Sequence, residues 1–449
     1  MASMKAPILR ITGIGLAASV NFGILLTNGL ACAASPTILE AKAPPRRQSS
    51  RAVSAVQGSG GLRLAPRVLP LIAQHPRLVE ELRDSLYAFF RFQHEAFTAR
   101  SCSLFERDRF VLPLVNLHGD AHLVQYASTQ LGFGLDDFDE AGFGPAVVDL
   151  VRFGASIHIA CQEVDFPCDA ASAVEVFLAA YRRAVLAPRT PLAVPTWVRR
   201  ARRRPDSNRE AHLAFAESLM APVDPPTRRH LDEAWAEMTT MLRNTGFRAS
   251  QDYLDIVRVG RIDLGVGSAL TQKYLLRVRG PSSDPSDDRI IEVKAHSGED
   301  RTSCVFHPPT GGVLYPQVMQ RRLGRVSPEI LAYLASSGTT SNEEEQQAQT
   351  YWVRSWDPDY KELGLDELAD QAELEEVAAD AGLQLGRGHC SHVTAPLEAQ
   401  HRFAHDRSLT GLAPRLEAAM ELLALEVRSA WEADRLFLDS ALTTRMSSH

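Results

Sequence analysis

Apolar residues recur along the chain first at intervals of three and four, then at intervals of two, then at three and four again. In the first stretch, Leu78, Leu82, Leu86, Phe89 and Phe90 form a helical stripe, and Pro76 ahead of it predicts one helix running to about Phe97. Pro113 to Leu117 and Phe133 to Phe138 read as short strands on either side of a polar loop that opens at His118. A helix is expected from near Pro145 to Glu163, because a proline just after Gly144 suits a first helical turn. Val174, Phe177, Leu178 and Tyr181 place another over Ala170 to Leu186, and helical patterns follow over Glu210 to Met220 and Thr227 to Leu242. The period then alternates: Tyr253 to Val259, Thr271 to Val278 and Arg289 to Val293 read as strands, with GPSSDPSDD as the loop between the last two. Gln317 to Leu323 reads as a helix and Thr350 to Trp356 as a strand. Long helices close the chain over Leu365 to Leu385 and Leu409 to Leu442, the last with Leu416, Met420, Leu423 and Val427 on one face.

Composition limits what this pattern can build. With 449 residues, 45% of them hydrophobic and 23% charged, the chain has the make-up of a globular protein of two or three domains. A formal net charge of −7 argues against nucleic acid as a partner. Lys5 and Arg10 precede an apolar run from Ile11 to Ala34, and Ala31-Cys32-Ala33 fits a small-x-small cleavage pattern. Residues 1–33 therefore read as a signal peptide and the protein as exported, periplasmic or extracellular; an uncleaved anchor or a misplaced start, with a cytoplasmic protein, is the alternative. Residues 34–67, rich in Pro, Ser, Gly, Ala and Arg, read as a flexible basic linker that is a solvated tether or lies near a membrane surface. The folded part divides into a helical segment over 68–248, a β-rich segment over 249–360 and a helical segment over 361–449. The six cysteines show no CxxC pair and read as small buried residues rather than as a disulfide framework.

Candidate chemistry is concentrated between Asn116 and Arg152. Asp136, Asp137, Asp139, Glu140 and Asp149 lie there among apolar residues, and so many carboxylates in a buried site call for a cation. Asp120 and Asp137 are expected at neighbouring strand ends, where one carboxylate can accept a proton from an attacking hydroxyl while the other holds Mg²⁺ against phosphate oxygens. His118 and His122 have an H-x-x-x-H spacing open to zinc. Without a helix, a Cys or a third His nearby, they read as loop-bracing residues. Five arginines between Arg199 and Arg204 form a solvated loop or approach an anionic substrate. In GRIDLGVGSAL, Gly265, Gly267 and Ser268 form either a phosphate-cradling turn or an ordinary β-turn. Lys294 ends a strand downstream of that turn.

Taken together, HGDAHLVQ, LDDFDEAGFGP and VVDLVR resemble the catalytic and metal-binding segments of aminoglycoside-phosphotransferase-like kinases. GDAH, DDFDEAGFGP and VDLVRFGAS are similar to the bacterial domain-of-unknown-function family 2252, which shares that signature. The resemblance implies an α+β, two-lobed, protein-kinase-like fold in circularly permuted order: the catalytic-loop lobe first, the glycine-rich strand lobe second and the closing helices last. It implies an ATP-dependent phosphotransferase with Mg²⁺, acting on an unknown small-molecule or protein hydroxyl. The alternative is a catalytically altered, pseudokinase-like binding module outside the cytoplasm. By position, Asp120 matches the catalytic base, Asp137 the metal-holding Asp, and Asp149 the buried Asp that braces the catalytic loop. Lys294 matches the phosphate-holding Lys. Gln125 stands where the pattern has a metal-ligating Asn, and Gln320 where a Glu pairs with the Lys. Lys294 and Asp137 are then expected across a cleft, roughly 6 to 12 Å apart at their side-chain ends, with Mg²⁺ and a triphosphate between them.

Overall fold

The computed structural model describes residues 11–12, 61–108, 112–191, 193–203, 208–244, 252–262, 266, 270–296, 304–306, 314–326, 330–335 and 350–446. Ile11–Thr12 (β1) is the described part of the first 60 residues, so the rest of the expected signal peptide over 1–33 and most of the linker lie outside the described residues.

Four short helices open the folded chain: α1 (Leu69–Ile72), α2 (Pro76–Asp84), α3 (Leu86–Phe92) and α4 (His94–Leu104). The single helix expected from Pro76 to Phe97 keeps its apolar stripe but is broken at Ser85 and Gln93. Ser85 adopts an extended conformation and caps α3, its hydroxyl accepting the Ala88 N–H at 2.9 Å, so α2 ends there. β2 (Leu114–Leu117), β3 (Tyr126–Ser128), β4 (Phe133–Leu135) and β5 (Gly142–Pro145) follow. β2 pairs antiparallel with β5 and β3 with β4. The expected strand Phe133 to Phe138 stops at Leu135, because Asp137 takes a left-handed backbone with φ 59°. Pro145, expected to start a helix, ends β5 opposite Leu114, and α5 (Val147–Ala160) begins two residues later.

Helix α5 is buried on nearly every side and forms the centre of the larger hydrophobic core. The helices that follow in the chain are α6 (Ala170–Leu186), which packs against α5, α7 (Thr196–Arg202), which packs against β3 and the later helix Gln371–His389, and α8 (Arg209–Ser218) and α9 (Pro225–Asn244), which pack on a larger sheet formed further along the chain. The arginine-rich stretch expected as a solvated loop is α7: Arg200 pairs with Glu373, and Arg202 Nε donates to the Thr129 carbonyl at 2.8 Å.

The alternating stretch gives β6 (Ile256–Arg261), β7 (Lys273–Val278) and β8 (Arg289–His296); then α10 (Leu314–Leu323), β9 (Ile330–Ala335) and β10 (Thr350–Ser355). These strands form a sheet in the order β1-β9-β10-β8-β7-β6, antiparallel except for β1 with β9. Alternate side chains reach opposite faces. Tyr274, Leu276, Val278, Ile291 and Val293 pack with Leu231, Trp235 and Met238 of α9, whereas Leu275 and Ile290 pack with Leu213, Ala216 and Met220. Lys273 lies directly opposite Lys294, and Arg354 opposite Glu292, so the two lysines and Arg354 share the face of Leu275 and Ile290.

β11 (Lys361–Glu362) returns the chain to the first sheets by pairing with β3. The last helices are α11 (Gln371–His389), α12 (Glu398–Thr410) and α13 (Ala413–Met446). Asp370 caps α11 by accepting the Glu373 N–H at 2.9 Å, which starts this helix later than the periodicity suggested. It packs closely on α6 because Gly382 and Gly386 face the Phe177 and Tyr181 carbonyls, leaving no room for a Cβ. The architecture is mixed α+β, a helical body with small antiparallel sheets joined to a larger sheet. Among the described residues no helix is long and apolar enough to cross a membrane.

The cysteines depart from the sequence reading. Cys102 of α4 is bonded to Cys304, and Cys161 to Cys168, with Cα–Cα distances of 5.9 and 5.2 Å; Cys390 is free and buried. The first pair is 202 residues apart, so no local spacing could announce it. Cys102→Ser should lower the unfolding free energy by about 2–4 kcal/mol in urea denaturation. Peptide mapping without reductant should recover the Cys102 and Cys304 peptides cross-linked; finding them separate would remove the pairing.

Candidate functional site

The loop after β2 is held from behind by Asp149. This fully buried carboxylate accepts the His118 N–H at 2.7 Å and the Gly119 N–H at 2.9 Å, and meets His389 Nε2 at 3.0 Å. Gly119 sits at φ 90° with the Glu140 carbonyl 1.9 Å from where a Cβ would stand, so only glycine lets the loop turn here. His118 accepts the Asp120 N–H at Nδ1, 3.3 Å, and its Nε2 donates to the Asp136 carbonyl at 2.8 Å. Gln125 ends the turn after the loop, and its backbone carbonyl accepts the Asp136 N–H at 2.8 Å. The two loops that carry the motif are thus bonded to each other through Asp136.

Asp120 lies at the bottom of this arrangement with 11% of its side chain exposed. Its Oδ1 is ion-paired with Arg152 Nε, while His94 Nε2 and His122 Nε2 stand 4.0 and 3.7 Å from its oxygens. Burial alone would push its pKa up. The Arg152 guanidinium, with the two imidazoles, instead holds the carboxyl well below the usual range. Arg152 is fully buried: its two terminal nitrogens have no hydrogen-bond partner among the described residues, and its guanidinium lies 4.2 and 5.2 Å from the ring centres of Phe90 and Phe97. Burial, with Arg91, Arg152 and His118 nearby, keeps the His122 imidazole neutral despite Asp120.

The second half of the site is built where the loop after β4 meets the sheet. Lys294 is ion-paired with Asp139 and lies 3.9 Å from Asp137 Oδ2, joining residues 155 positions apart in sequence. The expected gap of roughly 6 to 12 Å is therefore closed, with the amine in direct contact range of both carboxylates. The glutamate-like partner expected for Lys294 on α10 is not what the lysine uses. Gln320 instead donates to Asp136 Oδ1 at 3.3 Å and to the Val326 carbonyl at 2.9 Å. Asp136 is further paired with Arg354 at 2.6 Å. Burial pushes Asp139 well above the usual carboxylate range, and Asp137 adds to this. Asp137 itself, with 31% of its side chain exposed, is held low by Lys294, Arg354 and Lys273 against the effect of burial. Burial and the neighbouring Lys294 lower Lys273.

Asp120, Asp137, Asp149, His118, His122 and Lys294 thus come together around the two loops, and Gln125 lies behind them. Gly265, Gly267 and Ser268 lie outside the described residues. Sequence reasoning missed Arg152, Lys273 and Arg354, and it named Asp139 in the carboxylate cluster without pairing it with Lys294. Arg152 could have been found from its place one helical turn after Asp149, and Lys273 from the register that puts it opposite Lys294. The donor chemistry suits Mg²⁺, which needs only one or two protein oxygens beside water and phosphate. Asp137 supplies an ionised, partly exposed carboxylate, and the Gln125 amide makes no hydrogen bond among the described residues. No group of three or more His, Cys, Asp or Glu side chains stands ready to enclose a metal among those residues; both ring nitrogens of His118 are hydrogen-bonded, and His122 Nδ1 lies 3.3 Å from Tyr87 Oη. A separate cavity of about 520 Å³ between α7 and residues 361–369 is lined by Trp197, Arg200, Lys361 and Glu367 and by none of the motif residues.

The ion pair at Asp120 sets a pH dependence. Its depressed carboxyl contributes stability that is complete above the ordinary aspartate range and is lost as pH falls toward the folded-state value. In Arg152→Met, burial dominates and the carboxyl titrates above that range, so stability falls as pH rises. Denaturation of Arg152→Met at neutral pH should show a loss of about 3–5 kcal/mol. This loss should shrink at pH 4 to 5 and in the double variant with Asp120→Asn; a loss independent of pH would count against the pair.

No match to the chain was found among curated proteins or among solved structures. From residue 76 to residue 252, a stretch that holds Asp120, Gln125, Asp137, Asp149 and Arg152 and ends before Lys294, the chain matches the domain-of-unknown-function family 2252, described as an uncharacterized protein conserved in bacteria.

Proposed function

We propose that this protein is an ATP-dependent phosphotransferase of protein-kinase-like, circularly permuted fold, acting on a hydroxyl of a small molecule or protein. The observation that carries the reading is the meeting of Lys294 with Asp137 and Asp139 beside the Asp120 loop. A strand lysine next to an ionised aspartate is the pairing needed to hold polyphosphate through a cation and an amine at once. Mg²⁺ would be held by Asp137 and Gln125, and it supplies charge neutralisation on the phosphate oxygens. Lys294 would exchange part of its contact with Asp139 for phosphate oxygens, and Lys273 adds positive charge on the same face. Asp149, His118 and Gly119 keep the loop rigid, while Asp120 orients the acceptor hydroxyl. In the transfer, the acceptor oxygen forms its bond to the γ-phosphorus as the bond from that phosphorus to the ADP oxygen breaks, and the hydroxyl proton leaves through Asp120 to solvent. Its depressed basicity is compatible with a loose transition state, where positioning outweighs early proton removal.

A second reading keeps the fold and drops the chemistry: a pseudokinase-like binding module outside the cytoplasm, with the N-terminal segment serving export. The two disulfides favour it, since such bonds persist in oxidising compartments.

Thermal unfolding with ATP, with and without Mg²⁺, separates the two. A ligand at 100 times its dissociation constant stabilises the fold by about 2.7 kcal/mol. The phosphotransferase reading expects that gain only with Mg²⁺, its loss in Asp137→Asn and Lys294→Met, and its retention or increase in Gln125→Asn. Asp120→Asn should keep the gain and lose transfer. Binding that ignores Mg²⁺ and survives Asp137→Asn would point to the binding module.

A further inference from the structure

Helix α13 carries two apolar stripes, and the body of the protein covers one of them. Leu416, Met420, Leu423, Val427 and Leu438 are buried, and this side of the helix packs on α2, α3, α4 and α5. On the other side Ala418, Leu422, Leu425, Ser429, Glu432 and Leu436 follow at steps of four and three residues, the repeat by which one helix pairs along another. All six are exposed, Leu422, Leu425 and Leu436 by 42, 52 and 82%. Single exposed leucines need no explanation, but three in heptad register on one helix form a seam.

The charges beside the seam decide what can cover it. Glu421 and Arg428 precede the seam residues Leu422 and Ser429, so they hold the same flanking position one repeat apart. Glu421 is exposed and makes no hydrogen bond or ion pair among the described residues, and Arg428 makes only exposed contacts, to Glu432 at 3.0 Å and Gln162 at 3.2 Å. Two copies of α13 laid side by side in the same direction bring Glu421 of one to Glu426 of the other, and these repel. Laid antiparallel about a twofold axis between Leu423 and Ala424, the same helices set Leu422 against Leu425, Ala418 against Ser429 and Glu421 against Arg428, each contact occurring twice. Glu432, the acidic residue of the seam, then meets Arg415 of the second copy. We propose that this face of α13 is a homodimer interface, on which a second copy of the chain lays its own α13 antiparallel. From Ala418 to Leu436 the seam is about 27 Å long, small beside the roughly 1,600 Å² of a standard interface, so the dimer dissociates on dilution.

Sedimentation equilibrium of the full chain tests the pairing. At about 100 μM, where a complex with a micromolar dissociation constant is filled, the mass should be twice that of one chain, and it should fall toward one chain on dilution. Leu425→Glu places a carboxylate against Leu422 at both contacts and should give a monomer whose thermal unfolding matches that of the wild type, because the side chain is exposed. Arg428→Glu should weaken dimerisation about tenfold by setting glutamates together, and adding Glu421→Arg should restore it. Glu421→Arg alone should also weaken it; in a parallel pair it would strengthen it, and that result overturns the inference. A wild-type chain that stays monomeric at the higher concentration, or a dimer that folded Leu425→Glu leaves unchanged, overturns it as well. A thiol reagent should label Ser429→Cys slowly in the dimer and quickly on dilution. Protection that persists in a monomer means that another part of the same chain covers the seam, which also overturns the proposal.

Discussion

A carboxylate with no exposed surface is tolerable only where donors fill it, and Asp149 meets that condition with three. Two are successive backbone N–H groups of the His118–Gly119 turn, and the third is the imidazole of His389 on α11. One side chain on α5 therefore fixes the loop that carries Asp120 and the helix that closes the chain. The arrangement forces Gly119 into its left-handed conformation, because only that turn presents both N–H groups to the same carboxylate. From His389 the bonding continues through Tyr181 Oη at 2.8 Å to His405 at 2.7 Å, so α6 and α12 share the same buried network. Segments from five parts of the sequence are thereby held in one register.

The second constraint is charge. Asp136 and Asp139 are buried, Asp137 is partly so, and each is answered by a cation from one face of the sheet: Arg354 for the first, Lys294 for the other two. Neither side is stable alone. Without the loop, Lys273, Lys294 and Arg354 would crowd one face of adjoining strands. Without the sheet, three carboxylates within four residues would repel each other in a poorly solvated turn. The joint between the helical body and the sheet is therefore also the place where these opposite charges balance.

Much of this was legible in the sequence, and what was not has a physical reason. Helix α6 was read to the residue because one capping Asp and one unbroken stripe define it. The strands β7 and β8 and the cluster around Asp120 and Asp137 were legible because period and motif are both local. The break of the first helix at Ser85 was not, since the apolar stripe continues across it and only the cap marks the stop. Pro145 was read as a helix start, because Pro suits a first turn as well as a strand end. The Cys102–Cys304 bond and the Asp120–Arg152 pair depend on tertiary packing, and no spacing rule reaches that far. The partner of Lys294 was sought at position 320 on α10, whereas the lysine pairs with Asp139 on the loop after β4.

That last point bears on the glutamine at 320. At position 320 a glutamate would place a second carboxylate about 3.3 Å from Asp136 Oδ1, where Arg354 already balances one negative charge. A glutamine can donate there, and it does, to Asp136 and to the Val326 carbonyl. With Asp136 occupying the space, the acidic partner of Lys294 has to come from elsewhere, and Asp139 supplies it from the loop. The glutamine at 320 and the aspartates at 136 and 139 therefore form one solution to charge balance in a buried joint. A Gln at 320 is, on these contacts, what the charge balance around Asp136 allows once the counter-charge of Lys294 comes from Asp139 on the loop after β4.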